Sequence, residues 1–303
     1  MRIEGYTDGM SFIYLDYNAT TPTDPRVAEA MGPFLSGFFG NPSSNHRAGR
    51  EARRAVDRAR SQVAACLGCE TDEVVFTSGG SEANNLAIRG LVEARGGGHV
   101  VTSAVEHPAV LEVVRALERE GRISLSIVGV DQVGRVDPSH VQEALRDETV
   151  LVTLMLANNE VGTLQPVAEV AAMCRAREVS CHTDAAQAVG KVPVDVREVP
   201  VDFLSLSGHK FHAPKGVGAL YLREGVRFEP MIRGGGQEDG RRSGTENVAS
   251  IVGLGKAAAL MKEALDQDGH ARIGVLRDRL EERLLAEIEG ITMNGSRAHR
   301  ARN

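Results

Sequence analysis

Val74-Val75-Phe76-Thr77-Ser78-Gly79-Gly80-Ser81-Glu82-Ala83-Asn84-Asn85 is the stretch whose reading decides the fold. Four β-branched or aromatic residues in a row make a short strand buried on both faces, because such a run has no polar side to offer water. The two glycines break it, and Ser81 opens a helix that the sequence extends over about 81–93. Downstream the alternation repeats. Strands are expected at 99–102, 123–128, 150–156, 179–183, 203–207 and 217–222, with helices at 108–119, between the strands near 128 and 150, and at 167–175. Strands alternating with helices imply βαβ units, hence an α/β fold with a mostly parallel sheet covered on both faces.

Upstream, Asp24-Pro25 starts a helix, and a second helix over 47–67 carries Ala55, Ala59, Val63 and Leu67 at helical spacing against many charges. From Asn247 the chain is helical and highly charged to about residue 289, with a helix over 248–265 rich in Ala and Leu. Gly96-Gly97-Gly98 and Gly234-Gly235-Gly236 read as loops, and neither forms a dinucleotide fingerprint. The formal net charge of −6 gives no general attraction for nucleic acid or an anionic membrane. No apolar run is long enough to span a bilayer, and the polar start, residues 1–12, has no hydrophobic signal core. A soluble cytoplasmic protein is the expectation.

Cys66 and Cys69 form a CxxC, the spacing of a redox pair or half a zinc site. No second pair completes it, and it falls where a helix ends, with Gly68 suited to the position just past it, so it reads as structural. His209 and His212 are likewise too few for a metal centre, and no metal is expected.

Four clusters fall at strand-to-helix junctions, where open α/β sheets place their ligands. At Ser78 to Asn85, glycines and a helix start can receive a phosphate, although Gly-Gly-Ser is also an ordinary cap. At Glu106-His107-Pro108 an imidazole stands at the carboxyl end of the sheet, able to stack on a planar ring or move protons, or simply solvated. At His182-Thr183-Asp184-Ala185-Ala186-Gln187 a carboxylate ends an apolar strand, costly to bury without a cationic partner such as the pyridinium nitrogen of pyridoxal phosphate (PLP). Strand alternation puts His182 and Asp184 on one face and Cys181 on the other. At Ser207-Gly208-His209-Lys210 a strand ends in small and polar residues and then a lysine, which a mostly apolar pocket would turn into a nucleophile for carbonyls. Each cluster alone is ambiguous; their order along the chain is not.

That order resembles the cysteine desulfurases of the NifS/IscS type, in the class V aminotransferase group of fold-type I PLP enzymes. The matching segments are Tyr14 to Pro22, Gly40 to Ser44, Phe76 to Asn85, Glu106-His107, Asn158 to Gly162, His182 to Gln187, Ser207 to Lys210 and the run GGGQEDGRRSGTEN at 234–247. The resemblance implies a mostly parallel seven-stranded sheet flanked by helices, with a small domain incomplete at the C-terminus. It divides the chain into residues 1–20 of the small domain, a large PLP-binding domain over 21–255, and the start of the truncated small domain over 256–303. It implies that Lys210 binds PLP as an imine and later moves a proton, that Asp184 pairs with the pyridine nitrogen, and that His107 stacks on the ring. Asn158 and Gln187 would lie near the phenolic oxygen and the substrate. Gly80, Ser81, Ser207 and His209 would hold the phosphate, with Thr245 from the neighbouring subunit of a homodimer. The implied reaction takes L-cysteine to L-alanine, the sulfur passing as a persulfide toward an acceptor such as an iron–sulfur scaffold protein. None of the four cysteines matches the family's nucleophile, and its substrate-carboxylate arginine falls beyond the matched segments. Other readings stay open: a related PLP lyase or aminotransferase, a selenocysteine lyase among them, or a non-catalytic homologue serving as a dimerisation or scaffold partner.

Overall fold

A computed structural model describes residues 13–303; the polar start and most of the segment expected at 1–20 lie outside the described residues. The elements run α1 (Pro25–Met31), α2 (Pro33–Ser36), α3 (Arg47–Leu67), β1 (Val74–Thr77), α4 (Gly80–Arg95), β2 (Gly98–Ser103), α5 (Pro108–Arg119), β3 (Ile123–Val128), α6 (Pro138–Ala144), β4 (Thr149–Thr153), α7 (Val167–Ala176), β5 (Ser180–Asp184), β6 (Phe203–Ser207), β7 (Gly218–Leu222), α8 (Val248–Asp266) and α9 (Ala271–Glu287). The seven strands form one sheet in the order β1-β7-β6-β5-β4-β2-β3. Only β7 runs against the rest, pairing antiparallel with β1 and β6. The expected mostly parallel, seven-stranded, helix-flanked sheet is therefore what forms.

The strands are buried on both faces because each face has its own core. Val74 and Phe76 of β1 join Val101, Val152, Cys181, Leu204 and Leu206 under α3, α7 and α8, whereas Val75 joins Val100, Leu151, Phe203 and Leu220 under α4 and α5. Successive side chains of one strand thus serve opposite cores. Helix α4 lies across the middle of the sheet, packing on β6, β7, β4 and β5. Its start consequently stands beside the ends of several strands rather than beside β1 alone.

The expectations hold at most boundaries and shift at some. Asp24 caps α1 by accepting from the Arg26 amide at 2.8 Å, with Pro25 at the first position. Gly68 ends α3 with a left-handed φ of 72°. The buried stripe of α3 runs through Ala52, Val56, Ala59, Val63 and Leu67, so Ala55 sits at its margin rather than in it. Strand β4 ends at Thr153, three residues before the apolar run does, although the Leu154 and Leu156 amides still donate to the His182 and Asp184 carbonyls of β5. Gly98, read as loop, begins β2.

Helices α3 and α8 cross closely because small residues face each other. A Cβ on Gly255 would come within 2.5 Å of the Ala59 Cα, a backbone atom that cannot move aside alone. Gly255→Val should therefore cost about 2–3 kcal/mol through forced separation of the helices. The helix-propensity gain of under about 1 kcal/mol does not offset it. Thermal unfolding should show a clearly lowered midpoint for Gly255→Val. Gly129→Ala, where a Cβ meets nothing within 4 Å, should leave it near the parent value.

Candidate active site

The parallel strands deliver their carboxyl ends, and the reversed β7 its start, to one edge of the sheet. A cavity of about 550 Å³ opens there. Its wall takes Ser78 to Glu82 after β1, His107 after β2, Met155, Ala157 and Asn159 after β4, Asp184 and Gln187 at and after β5, Ser207, His209 and Lys210 at and after the end of β6, and Lys215 and Gly216 before β7. Eight of the ten residues expected in the site therefore line one cavity: Gly80, Ser81, His107, Asp184, Gln187, Ser207, His209 and Lys210.

The other two do not. Asn158 is tied into the turn that follows β4: its Oδ1 accepts the amides of Glu160 at 2.9 Å and Val161 at 3.0 Å, and its Nδ2 donates to the Val105 carbonyl at 3.2 Å. The cavity is lined by its neighbour Asn159 instead. Thr245 is exposed and lies against a separate depression with Thr77, Ser78 and Arg242, outside the cavity of its own chain.

Asp184 is 6% exposed, and its carboxylate is held at both oxygens. Oδ2 accepts from Asn84 Nδ2 at 2.8 Å and Oδ1 from the Ala186 amide at 2.9 Å. Asn84 Oδ1, buried as well, has no hydrogen-bond partner among the described residues. Asn84 carried no role in the sequence reading. The signal was its place one helical turn after the glycines, which turns it inward beneath the cavity.

Lys210 is half-buried, and its Nζ donates to the carbonyls of Asn18 at 2.7 Å and Ala19 at 3.1 Å. Burial pulls its pKa below the ordinary lysine value, while Asp184 and Asp16 pull the other way. The segment 18–24 runs along the lysine loop and is stitched to it. Thr21 donates to the His209 carbonyl through N and Oγ1, both at 2.9 Å, and Asp24 N donates to the His212 carbonyl at 3.1 Å. His209 Nδ1 lies 3.0 Å from Thr20 Oγ1, and burial followed by the charges of Lys210 and Lys215 lowers its pKa. Two histidines joined to the N-terminal segment in this way explain the HxxH spacing, and no cluster of three or more metal-ligating groups exists among the described residues.

The first turn of α4 leaves the amides of Gly80, Ser81 and Glu82 without helical acceptors, as at any helix start. Gly80 passes so close to the lysine loop that a Cβ there would stand 3.2 Å from Ser207 Cβ. Glu82 would repel an anion at this spot, but Arg242 pairs with it at 2.7 Å. Burial alone would raise Glu82, and the bonds from Arg242 and the Ser78 amide overcome that and hold it below the ordinary carboxylate range. A second pair, Arg60 with the buried Glu238 at 2.7 Å, ties the loop after Gly236 to β1, since Glu238 also accepts the Phe76 amide at 2.9 Å. His107 caps α5, its Nδ1 accepting the Ala109 amide at 3.1 Å.

These residues fit PLP. Asp184 offers a fixed carboxylate to a ring nitrogen, Lys210 an amine shifted toward its neutral form, and the α4 start beside Ser207 a cradle for a dianion. None of the four cysteines lines the cavity. Burial pushes Cys66 up to about 11 and Cys69 up to about 12, and Cys174 and Cys181 lie buried in the core, Cys181 on the face away from Asp184 as expected.

Glu106, beside His107, is fully enclosed. Its Oε1 accepts from Ser103 Oγ and the Met155 amide, each at 2.8 Å, while Oε2 has no partner among the described residues. Burial, against those two bonds and with Asp184 adding, drives its pKa from 4.5 up to about 8. Folding thus takes up a proton here, so the contribution to stability is complete below about pH 4.5 and is lost as pH rises through 8. Glu106→Gln should remove that loss. Relative to the parent, its unfolding free energy should improve between pH 5 and pH 8.5 by on the order of 1 kcal/mol per pH unit at most. An equal difference at both pH values in denaturant titrations would mean that Glu106 is ionised in the folded protein.

Residues 13–303 match the class-V aminotransferase family. Among curated relatives, "Cysteine desulfurase IscS" of Dictyoglomus turgidum is 47% identical over 293 residues, covering 96% of this chain and 74% of that protein. "Cysteine desulfurase" of Nostoc sp. is 48% identical over 97% of this chain and 73% of that protein. The chain therefore spans about three quarters of the length of these relatives. Among solved structures, "NIFS-LIKE PROTEIN" superposes with a TM-score of 0.92 at 38% identity, covering 96% of this chain and 80% of that one. "SspA in complex with cysteine" gives 0.83 at 40% identity, over 89% and 78%. The chain belongs to the class-V aminotransferase family, among the cysteine desulfurases of the IscS and NifS type.

Proposed function

We propose that the chain acts as a PLP-dependent cysteine desulfurase, taking L-cysteine to L-alanine. The observation that carries the reading is the placing of Asp184 and Lys210 on one cavity whose third corner is the α4 helix start. Enzymes of this family depend on PLP, which supplies an electron sink next to the substrate's reacting carbons.

The chain's own residues supply the rest. Asp184, oriented by Asn84 and Ala186, would hold a proton on the ring nitrogen of bound PLP. With PLP bound, His107 would cover the ring, and Gln187 with the loop of Asn158 and Asn159 would serve its phenolic oxygen. Lys210 would hold PLP through its amine and would serve to move the proton at the substrate Cα. Gly80, Ser81, Ser207 and His209 hold the phosphate. The exposed Thr245 serves the cavity of a neighbouring subunit, a role that its position outside its own cavity supports. A homodimer is further supported by the exposed apolar side chains of Leu35, Phe38 and Phe39.

Desulfuration also needs a thiolate that attacks the substrate sulfur. The Cβ–S bond breaks, Cβ leaves with the electron pair and is protonated to the alanine methyl, and the thiol becomes a persulfide. Since the four cysteines stand outside the cavity, this thiol reaches the cavity mouth from elsewhere, and a sulfur-acceptor protein such as an iron–sulfur scaffold takes the sulfur on. The four free cysteines suit the reducing cytoplasm. The described helices include none long and apolar enough to cross a membrane.

The parent protein mixed with PLP should show a visible-region band from the lysine adduct, and Lys210→Ala should abolish it. With L-cysteine and an added thiol, alanine and sulfide should appear, and Lys210→Ala should slow them at least about 100-fold. A keto acid in place of alanine would assign the chain to transamination. No band in the parent at any PLP concentration would sink the reading.

A further inference from the structure

Arg242 lines no part of the cavity, yet its guanidinium is bonded to a residue at the corner where an anion would sit. That corner is the start of α4. Gly79, the residue before the helix, has a φ of 153° that favours glycine, and with no side chain it leaves the first-turn amides uncapped. Glu82 is third in this turn, so its own amide is one of those left free. Its side chain folds back, and Oε2 accepts the Ser78 amide at 2.8 Å. Ser78, Gly80, Ser81 and Glu82 all line the cavity, whereas Arg242 lines the separate depression that shares Ser78 with it.

The ion pair has two bonds: Arg242 Nε donates to Glu82 Oε1 at 2.7 Å and Nη2 to Oε2 at 3.2 Å. The two side chains are 23% and 12% exposed, so water and salt screen them less than a surface pair. Arg242 belongs to the loop after Gly236, which carries Thr245 and which Glu238 pins to β1 through Arg60 and the Phe76 amide. Docking of this loop decides what charge the α4 start presents. With Arg242 in place the acid is compensated; without it a bare carboxylate faces any incoming phosphate.

We propose that Arg242 is a positioning residue for phosphate that acts from outside the cavity: by compensating Glu82 it lets the α4 start take a dianion, so phosphate affinity depends on the docked loop. The inference rests on the reading of the cavity as a PLP site and assigns that site a determinant of its preference for the phosphorylated aldehyde. The other charges on the wall, Asp184, Lys210 and Lys215, belong to different loops and stay as they are.

Titration of the apoprotein with PLP and, separately, with pyridoxal, which lacks the phosphate, reads the effect through the lysine band. Arg242→Gln leaves Glu82 unpaired and should weaken PLP about tenfold while leaving pyridoxal near the parent value. Glu82→Gln keeps an acceptor for the Ser78 amide and should bind PLP more tightly than the parent, because Arg242 is left uncompensated. The double variant, Glu82→Gln with Arg242→Gln, lacks the pair but restores neutrality, and should return to near the parent affinity. If the pair only clamps the loop, the double variant stays as weak as Arg242→Gln, and the proposal falls. Pyridoxal weakening in step with PLP, or Arg242→Gln binding PLP like the parent, overturns it as well. Should Arg242→Gln fail to fold, Glu82→Gln decides, and PLP binding no tighter than the parent's overturns the proposal. A parent protein that forms no band with either aldehyde overturns the PLP reading instead. The pair is then read with inorganic phosphate, whose stabilisation of the apoprotein in thermal unfolding should be lost in Arg242→Gln and regained in the double variant. Absence of that loss and recovery overturns the proposal.

Discussion

A carboxylate buried at the end of the central strand is the constraint around which the site is organised. Asp184 ends β5, the fourth of seven strands, and is shielded from water. A charge so placed is tolerated only where donors surround it. Asn84 reaches it from α4 and the Ala186 amide from its own turn, so the helix that offers its start to an anion also orients the acid. That geometry requires α4 to cross the sheet from the β1 edge to beneath β5, which the position of β1 beyond β7 enforces. Strand order, helix path and acid orientation are one arrangement.

The second organising element is the short segment at Asn18 to Asp24. It has no regular secondary structure before α1, yet its carbonyls receive Lys210 and Gln187 and its hydroxyls hold the lysine loop. His212 adopts a left-handed φ of 68° where this segment crosses it, a conformation uncommon for a residue with a Cβ. There its amide donates to Thr21 Oγ1 at 2.7 Å and its Nδ1 lies 3.0 Å from the Pro22 carbonyl oxygen. Lys210 is thus poised by main-chain oxygens rather than by an opposing carboxylate, which keeps it from being locked as a charged pair.

Much of this was legible in the sequence because local rules governed it. Strands β1, β3 and β6 and the starts of α1 and α5 follow from apolar runs, Asp24-Pro25 and His107-Pro108, each decided by neighbours in the chain. Asp184 and Lys210 were legible as chemistry, since a carboxylate and an amine at the ends of apolar strands demand partners. What escaped were contacts whose partners lie far apart along the chain. The grip of Asn84 on Asp184 spans 100 residues, and that of Lys191 on Asn18 spans 173. Nothing near Lys191 in the sequence marks it, because its environment is made by a segment that folds back from the other end. Asn158, expected near the cavity, stands just off its wall for the opposite reason. Its neighbours Glu160 and Val161 capture its side chain in a local turn, which single-residue chemistry does not reveal.

The molecule also separates two requirements of desulfuration. Cofactor binding needs rigid donors at fixed separations, and strand ends in a seven-stranded sheet provide them. Sulfur transfer, as proposed, needs in addition a thiolate at the cavity mouth. The cysteines here are placed accordingly. Cys174 and Cys181 share one core, where their mutual contact and then burial hold Cys181 protonated, and Cys66 and Cys69 sit against the end of α3 with raised pKa values. A thiol that stays protonated neither attacks the substrate sulfur nor competes with the acceptor for it. The chain's own thiols thus stay away from the cavity that opens at the sheet edge.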